Sequence, residues 1–340
     1  MDLPPPLRPL TIRGRRGAGR AATFPAALLL APMEGITDAC FRSLVLDLGH
    51  AGGACTEFVR LTTGPVSVAA LRRALGPPHP SIPTGLQVMA PGPEFVAATA
   101  HRAALAGAAW VDLNFGCPVP RVFDRCAGSA LLARPEALGA IVAAAASGTD
   151  LPVSAKVRAG IGDASLLDEV LHAAAEGGAA MVSLHARLRV DSYETAARWE
   201  WIARAAELLH SRHPGVALVG NGGIDRAADA RRMAAATGCD GVMVGRAAFA
   251  DPWIFREVRG GPSASEGEAR AFALRYLDRV TGGEGGRRGV GRAKQLARHF
   301  RAGGLFEGRE GERGRLLREA GAEEIRAWFA GAARPSPAAA

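Results

Sequence analysis

From Ala27 to about Val258, short runs that are apolar or alternate between apolar and polar residues recur between longer Ala-rich stretches. The runs predict strands at Ala27–Ala31, Ala54–Val59, Thr84–Met89, Trp110–Gly116, Val153–Val157, Met181–His185, Ala217–Gly220 and Gly241–Gly245. Between them, "PEFVAATAHRAALAG", "PEALGAIVAAAAS", "ASLLDEVLHAAAEGG" and "RAADARRMAAATG" predict amphipathic helices. Strands alternating with helices imply right-handed crossovers and a parallel sheet. Eight such units over roughly 235 residues predict an α/β fold closed as a (β/α)8 TIM barrel. No GxGxxG follows the first strand, so a doubly wound open sheet fits less well.

Past the loop-like "RGGPSASEGE" the strands stop. "EARAFALRYLDRV", "GRAKQLARHFRAG" and "EEIRAWFAG" keep helical spacing with nothing β-like between them. The expected organisation is therefore a basic flexible tail over 1–23, a barrel over 24–260, a small all-helical C-terminal domain over 263–332, and a disordered tail over 333–340. Arginines ahead of "AALLLAP" have the order of an export signal, but that run is short and no A-x-A cleavage pattern follows it. No stretch approaches the roughly 20 apolar residues that span a bilayer, so no membrane partner is expected.

With 340 residues, 48% of them hydrophobic and 22% charged, the chain has a globular composition. Its five cysteines show no CxxC and no zinc-type spacing with histidine, which predicts reduced thiols, a cytoplasmic setting and no metal. A net charge of +8 favours a polyanionic partner such as a nucleic acid. Arginine has displaced lysine almost everywhere, leaving two lysines (Lys156, Lys294), two asparagines (Asn114, Asn221) and two glutamines (Gln87, Gln295). Four of these six fall at or near the C-terminal ends of predicted strands three, four, five and seven, where a barrel carries its active site. Lys294 and Gln295 share one helix of the appendage.

Polar groups at that rim suit a flat heterocycle with carbonyls and ring nitrogens. Gln87 can donate and accept at a pyrimidine-like edge. Lys156 can sit beside charge developing on a reduced ring, form an ordinary ion pair, or act as a Schiff-base nucleophile. His185 ends predicted strand six, and Pro32-Met33 ends strand one. "VGNGGI" and "VMVGRAAFADPWIF" place glycines after strands seven and eight, where backbone amides can take a phosphate and Arg246 can clamp it. Together these suggest flavin mononucleotide. Cys117 follows strand four in "DLNFGCPVPR", and its thiol can be a nucleophile, a general acid or inert filler.

In this order, "APMEGITDACFR", "DLNFGCP", "GSALL", "PVSAKVR", "GNGGI" and "GVMVGRAAFADPWIF" resemble the tRNA-dihydrouridine synthases, from about Leu28 to Phe255. "TEFVR" and "GRAKQLARHFR" are most similar to the bacterial subfamily C, which acts on uridine 16 of the D-loop. The resemblance implies an FMN-binding barrel followed by a helical tRNA-binding domain. Cys117 matches the proton donor of that family. FMN would be held by Pro32, Met33, Glu34 and Gln87, with Lys156 and His185 at the ring and Asn221, Gly222, Gly223, Gly245 and Arg246 on the phosphate side. Asn114 matches the asparagine that contacts the target uracil, and Arg292 and Lys294 would meet tRNA. NADPH would reduce the flavin, and a monomer is expected. After His185 the chain has Ala186-Arg187-Leu188, where the family usually has Gly-Arg-Thr. An FMN barrel acting on a free pyrimidine, like dihydroorotate dehydrogenase, is the alternative; the basic helical appendage favours tRNA.

Overall fold

The computed structural model describes residues 8–15, 19–281 and 286–331, so the tail expected over 333–340 and the first seven residues lie outside the described residues. Its strands are β1 (Leu10–Arg13), β2 (Ala21–Phe24), β3 (Leu28–Leu30), β4 (Gly53–Cys55), β5 (Val59–Arg60), β6 (Thr84–Met89), β7 (Val111–Phe115), β8 (Val153–Gly160), β9 (Met181–Leu188), β10 (Ala217–Asn221) and β11 (Gly241–Val244). The helices are α1 (Ala39–Asp47), α2 (Val68–Leu75), α3 (Val96–Ala106), α4 (Pro120–Phe123), α5 (Pro135–Gly148), α6 (Leu167–Gly177), α7 (Glu200–Arg212) and α8 (Ala227–Thr237). They are followed by α9 (Arg246–Ala250), α10 (Ile254–Val258), α11 (Glu266–Thr281), α12 (Gly286–His299), α13 (Glu310–Arg318) and α14 (Ala322–Phe329).

The main sheet runs β4-β3-β11-β10-β9-β8-β7-β6-β5, and a further β4–β6 pairing closes it into a barrel that leaves two-residue β5 outside the ring. Neighbouring strands of the ring are parallel. The helical spacing explains the outer layer. In α5 the buried residues are Leu138, Ile141, Val142 and Ala145, one stripe facing the strands, and α6 buries Leu167, Val170, Leu171 and Ala174 in the same way. On β7, Val111, Leu113 and Phe115 are buried toward this layer, which leaves Asp112 and Asn114 on the face that lines the barrel.

Two features differ from expectation. The segment expected as a flexible basic tail over 1–23 contains β1 and β2, which pair antiparallel from Leu10↔Phe24 to Arg13↔Ala21. Each strand has only four residues among arginines, yet each alternates: Ile12 is buried in one, Ala22 and Phe24 in the other. These three join a cluster with Leu29, Trp110, Met181, Val219 and Met243. Phe24 meets Trp110 edge-on, with ring centroids 5.1 Å apart. Trp110 and Met181 stand where β7 and β9 begin, so the pair plugs the barrel at the end opposite its C-terminal rim.

The second difference is the boundary. The chain divides into two compact units, Met1–Gly245 and Arg246–Ala340, rather than at about 260. The segment from α9 to α10 packs on the later helices: Trp253 lies edge-on to Phe272 at 5.5 Å, and Arg301 N donates to Ala250 O at 2.8 Å. The second unit is built on Phe272, Tyr276, Leu296, Phe300, Phe306, Ile325 and Phe329, all buried. Helix α13 had no sequence signal, because Gly311 and Gly314 dilute its helical preference.

Candidate active site

Parallel register sets inward side chains in rows. Gln87 of β6 stands beside Asp112 of β7, and Asp112 beside Ser154 of β8. Two residues nearer the rim, Asn114 of β7 is beside Lys156 of β8, and Asn221 of β10 is beside His185 of β9. The lower row is fully buried. Gln87 Nε2 donates to Asp112 Oδ2 at 2.6 Å, and Ser154 Oγ donates to Asp112 Oδ1 at 2.5 Å. Asn114 Nδ2 donates to Gln87 Oε1 at 2.8 Å. Both ends of the Gln87 amide are thus engaged inside the protein.

Lys156 Nζ reaches past β9 to donate to Asn221 Oδ1 at 3.0 Å, and Asn221 Nδ2 donates to Met243 O at 2.7 Å. The ammonium can donate three bonds, so it has capacity for an acceptor at the rim. Burial pushes the Asp112 carboxyl up to about 6, while the bonds from Gln87 and Ser154 and the charge of Lys156 pull it back. Burial pushes Lys156 down to about 8, and Asp112 opposes that shift. At pH 7 both groups are therefore mainly charged.

Cys117 is held from several sides. Asn114 Oδ1 accepts from Gly116 N at 3.1 Å and from Cys117 N at 3.0 Å, so the asparagine anchors the turn that ends the strand. Arg158 Nε donates to Gly116 O at 3.0 Å, and Ser129 Oγ donates to Cys117 O at 2.8 Å. Gly128 has φ +60°, and a Cβ there would lie 3.0 Å from both Cys117 Cβ and Cys117 O. Cys117 packs against the buried cluster of Met89, Val122 and Ala127. Burial raises the Cys117 pKa, and the charge of Glu34 adds to this against Arg60 and Arg158. The thiol is therefore protonated at neutral pH.

Around these groups stand the other expected site residues. Pro32, Met33 and Glu34 form a turn after β3 in which Met33 N donates to Thr37 Oγ1 at 2.7 Å. Burial raises the Glu34 pKa, and Arg60 opposes it. Arg187 Nη1 lies 3.1 Å from His185 Nε2; since an arginine only donates, that nitrogen is the acceptor. Gly222 and Gly223 have φ +103° and +70°, and a Cβ on Gly222 would come within 2.6 Å of His185 Cδ2. Glycine adopts this backbone without strain, where other residues rarely do. Met33 Sδ stands 3.4 Å from where a Cβ on Gly245 would be, and Arg246 follows in the chain.

Arg292 and Lys294 lie on α12, in the second unit. Arg292 Nη1 donates to Gln295 Oε1 at 3.1 Å, and Lys294 Nζ to Arg318 O at 3.4 Å. Sequence reasoning missed Asp112, Ser154, Ser129 and Arg158. The signal for Asp112 was its parity with Asn114, since residues i and i+2 of a strand share a face. No group of three or more His, Cys, Asp or Glu that could hold a metal ion occurs among the described residues.

The dihydrouridine synthase family model matches residues 29–277. The "tRNA-dihydrouridine(16) synthase" of Cupriavidus necator is 39% identical over 241 residues, covering 68% of this chain and 73% of the relative. The "tRNA-dihydrouridine synthase B" of Pseudomonas aeruginosa is 35% identical over 264 residues, covering 75% of this chain and 77% of the relative. A "Probable tRNA-dihydrouridine synthase" of Mycobacterium tuberculosis is 38% identical over 253 residues, but this chain spans only 61% of its length. Among solved structures, histamine dehydrogenase from Rhizobium sp. 4-9 superposes with a TM-score of 0.57 at 14% identity, over 80% of this chain and 50% of that one. That likeness is one of fold.

Proposed function

Since the chain belongs to the dihydrouridine synthase family, whose members are flavin-dependent tRNA uridine reductases, we propose that it reduces uridine 16 in the D-loop of tRNA. FMN is the bound flavin and NADPH the reductant in this reading, and the reaction runs in the cytoplasm. The setting of Cys117 carries it: a protonated thiol, packed on apolar side chains, fixed at the rim by an asparagine on the same strand. The choice of position 16 follows relatives that carry that number in their names.

The residues present fit a flavin. Paired positive-φ glycines at β10 offer amides to a phosphate, with Gly245 and Arg246 on the next strand's end. Lys156, steadied by Asn221, offers an ammonium to a ring edge on which negative charge grows. Pro32, Met33, Glu34, Gln87 and His185 complete the surround. When bound and reduced, the flavin supplies a hydride to uracil C6. Cys117 Sγ holds the proton delivered to C5, a general-acid role for which a neutral thiol is suited. The remaining N–H of Asn114 meets a uracil carbonyl. The uridine must leave its stack to reach these groups. The helical unit, with Arg292 and Lys294, binds tRNA phosphates, and the protein acts as a monomer.

Purified protein should be yellow, NADPH should bleach it, and unmodified tRNA should restore the colour with formation of dihydrouridine. A colourless protein that takes up no flavin would overturn the reading. So would reoxidation by free orotate or uracil but not by tRNA, which is the outcome a free-pyrimidine reductase requires.

A further inference from the structure

The buried carboxylate of Asp112 has no role in the reduction, yet every hydrogen bond around it points the same way. Gly116 N and Cys117 N donate to Asn114 Oδ1, Asn114 Nδ2 donates to Gln87 Oε1, and Gln87 Nε2 donates to Asp112 Oδ2. Ser154 Oγ donates to the other oxygen. An ionised carboxylate only accepts, so it dictates which end of the Gln87 amide faces it. That choice dictates the orientation of Asn114. Reversing either amide would set oxygen against oxygen, or the Asn114 NH2 against two backbone N–H groups, and at the Gln87–Asp112 end the groups are buried away from water.

We propose that Asp112 is a positioning residue for Cys117, acting through Gln87 and Asn114 as a directional chain of hydrogen bonds that ends on the backbone of the catalytic turn. Asp112 touches neither substrate nor cofactor in this arrangement. Its contribution is the direction of two amides, and through them the place of the thiol. The links lie on the adjacent strands β6, β7 and β8, so the thiol on its loop is tied to the sheet of the barrel. The effect on turnover rests on the proton-donor role of Cys117; the effect on the turn does not.

The chain can be reversed by exchange of two isosteric side chains. Asn114→Asp alone faces Gln87 with a carboxylate at each end, and one amide cannot donate to both in line. In the double variant Asp112→Asn/Asn114→Asp, the new amide at 112 donates to Gln87 Oε1, and Gln87 Nε2 donates to the new carboxylate at 114. That carboxylate still accepts from Gly116 N and Cys117 N, and the net charge equals the parent's.

The readout is the rate of Cys117 alkylation by iodoacetamide at pH 8, followed by peptide mass spectrometry on the full-length protein, with Cys126, which is exposed, replaced by Ser throughout. It needs no flavin, NADPH or tRNA, so it fails or succeeds independently of the proposed reaction. Asn114→Asp adds a charge that also holds the thiol protonated, so each rate is expressed per thiolate from its own pH profile. On that scale Asn114→Asp should alkylate about fivefold faster than the parent, the population change that follows loss of one hydrogen bond. The double variant should return to within about twofold of the parent. Tryptic peptides showing parent-like rates in Asn114→Asp, or a double variant no slower than Asn114→Asp, would overturn the proposal. If Asn114→Asp does not fold, Gln87→Met decides: it keeps volume but gives Asn114 no acceptor. Faster alkylation in that variant supports the chain, and an unchanged rate rejects it.

Discussion

The two ends of the barrel interior are built from the same strands and filled in opposite ways. At the end where strands begin, Phe24 from the antiparallel pair sits among Leu29, Trp110, Met181, Val219 and Met243. At the other, Gln87, Asp112, Ser154, Asn114, Lys156 and Asn221 join through side-chain hydrogen bonds. The first end gains from removing apolar surface from water and asks nothing of orientation. The second holds two buried charges away from their ordinary pKa values and keeps them only because each has partners. Stability is placed at one end and chemistry at the other, so substitutions at the two ends should fail in different ways.

Cys117→Ala should show the largest effect. Turnover on tRNA should fall by about 10²–10⁴-fold, the usual worth of a positioned general acid, while flavin content and reduction by NADPH stay at parent levels. Stopped-flow absorbance of each half-reaction checks this, and an undiminished rate with tRNA removes Cys117 from its role. At the opposite end, Phe24→Ala should cost about 3–5 kcal/mol in denaturant unfolding and leave turnover per folded molecule unchanged. A rim-like loss of activity in that variant would erase the contrast between the ends.

Asp112→Asn should behave as neither does. The folded-state pKa of Asp112, about 6, lies above its ordinary 3.8, so the folded protein holds that proton more tightly than the unfolded chain. Stability from this group is therefore intact below about pH 4 and is lost as pH rises through 4 to 6. Removing the charge should make the variant about 2–3 kcal/mol more stable than the parent at pH 7.5 and equal to it near pH 4. Unfolding curves at both pH values test the sign; a variant less stable at both would show that the carboxylate is favoured by its surroundings. The smallest effect belongs to the helical unit: Arg292→Ala should lower the slope of log affinity for tRNA against log salt by about one.

Legibility in the sequence followed the length of each pattern. The eight barrel strands were readable because β-rich runs recur with turn residues at their ends, and Thr84–Met89 was found to the residue. The antiparallel pair was not, because four alternating positions among arginines carry too little signal against a tail-like composition. Cys117, Lys156, Asn114 and Asn221 stood out as rare types at strand ends. Asp112 did not, although it lies two residues from Asn114. Alternation in a strand usually separates core from solvent, whereas in a closed barrel both faces are covered and the polar side can be the inner one. Nor could spacing reveal that Gln87 faces another side chain at each end of its amide. That depends on which strands are neighbours, and closure of the ring decides it.

The most direct test of the account is nucleotide-resolved mapping of dihydrouridine in unmodified tRNA after incubation with the purified protein and NADPH. Dihydrouridine should form at position 16 of the D-loop with the parent protein and be lost with Cys117→Ala. No dihydrouridine from a protein whose flavin NADPH reduces, or equal product from Cys117→Ala, would contradict it.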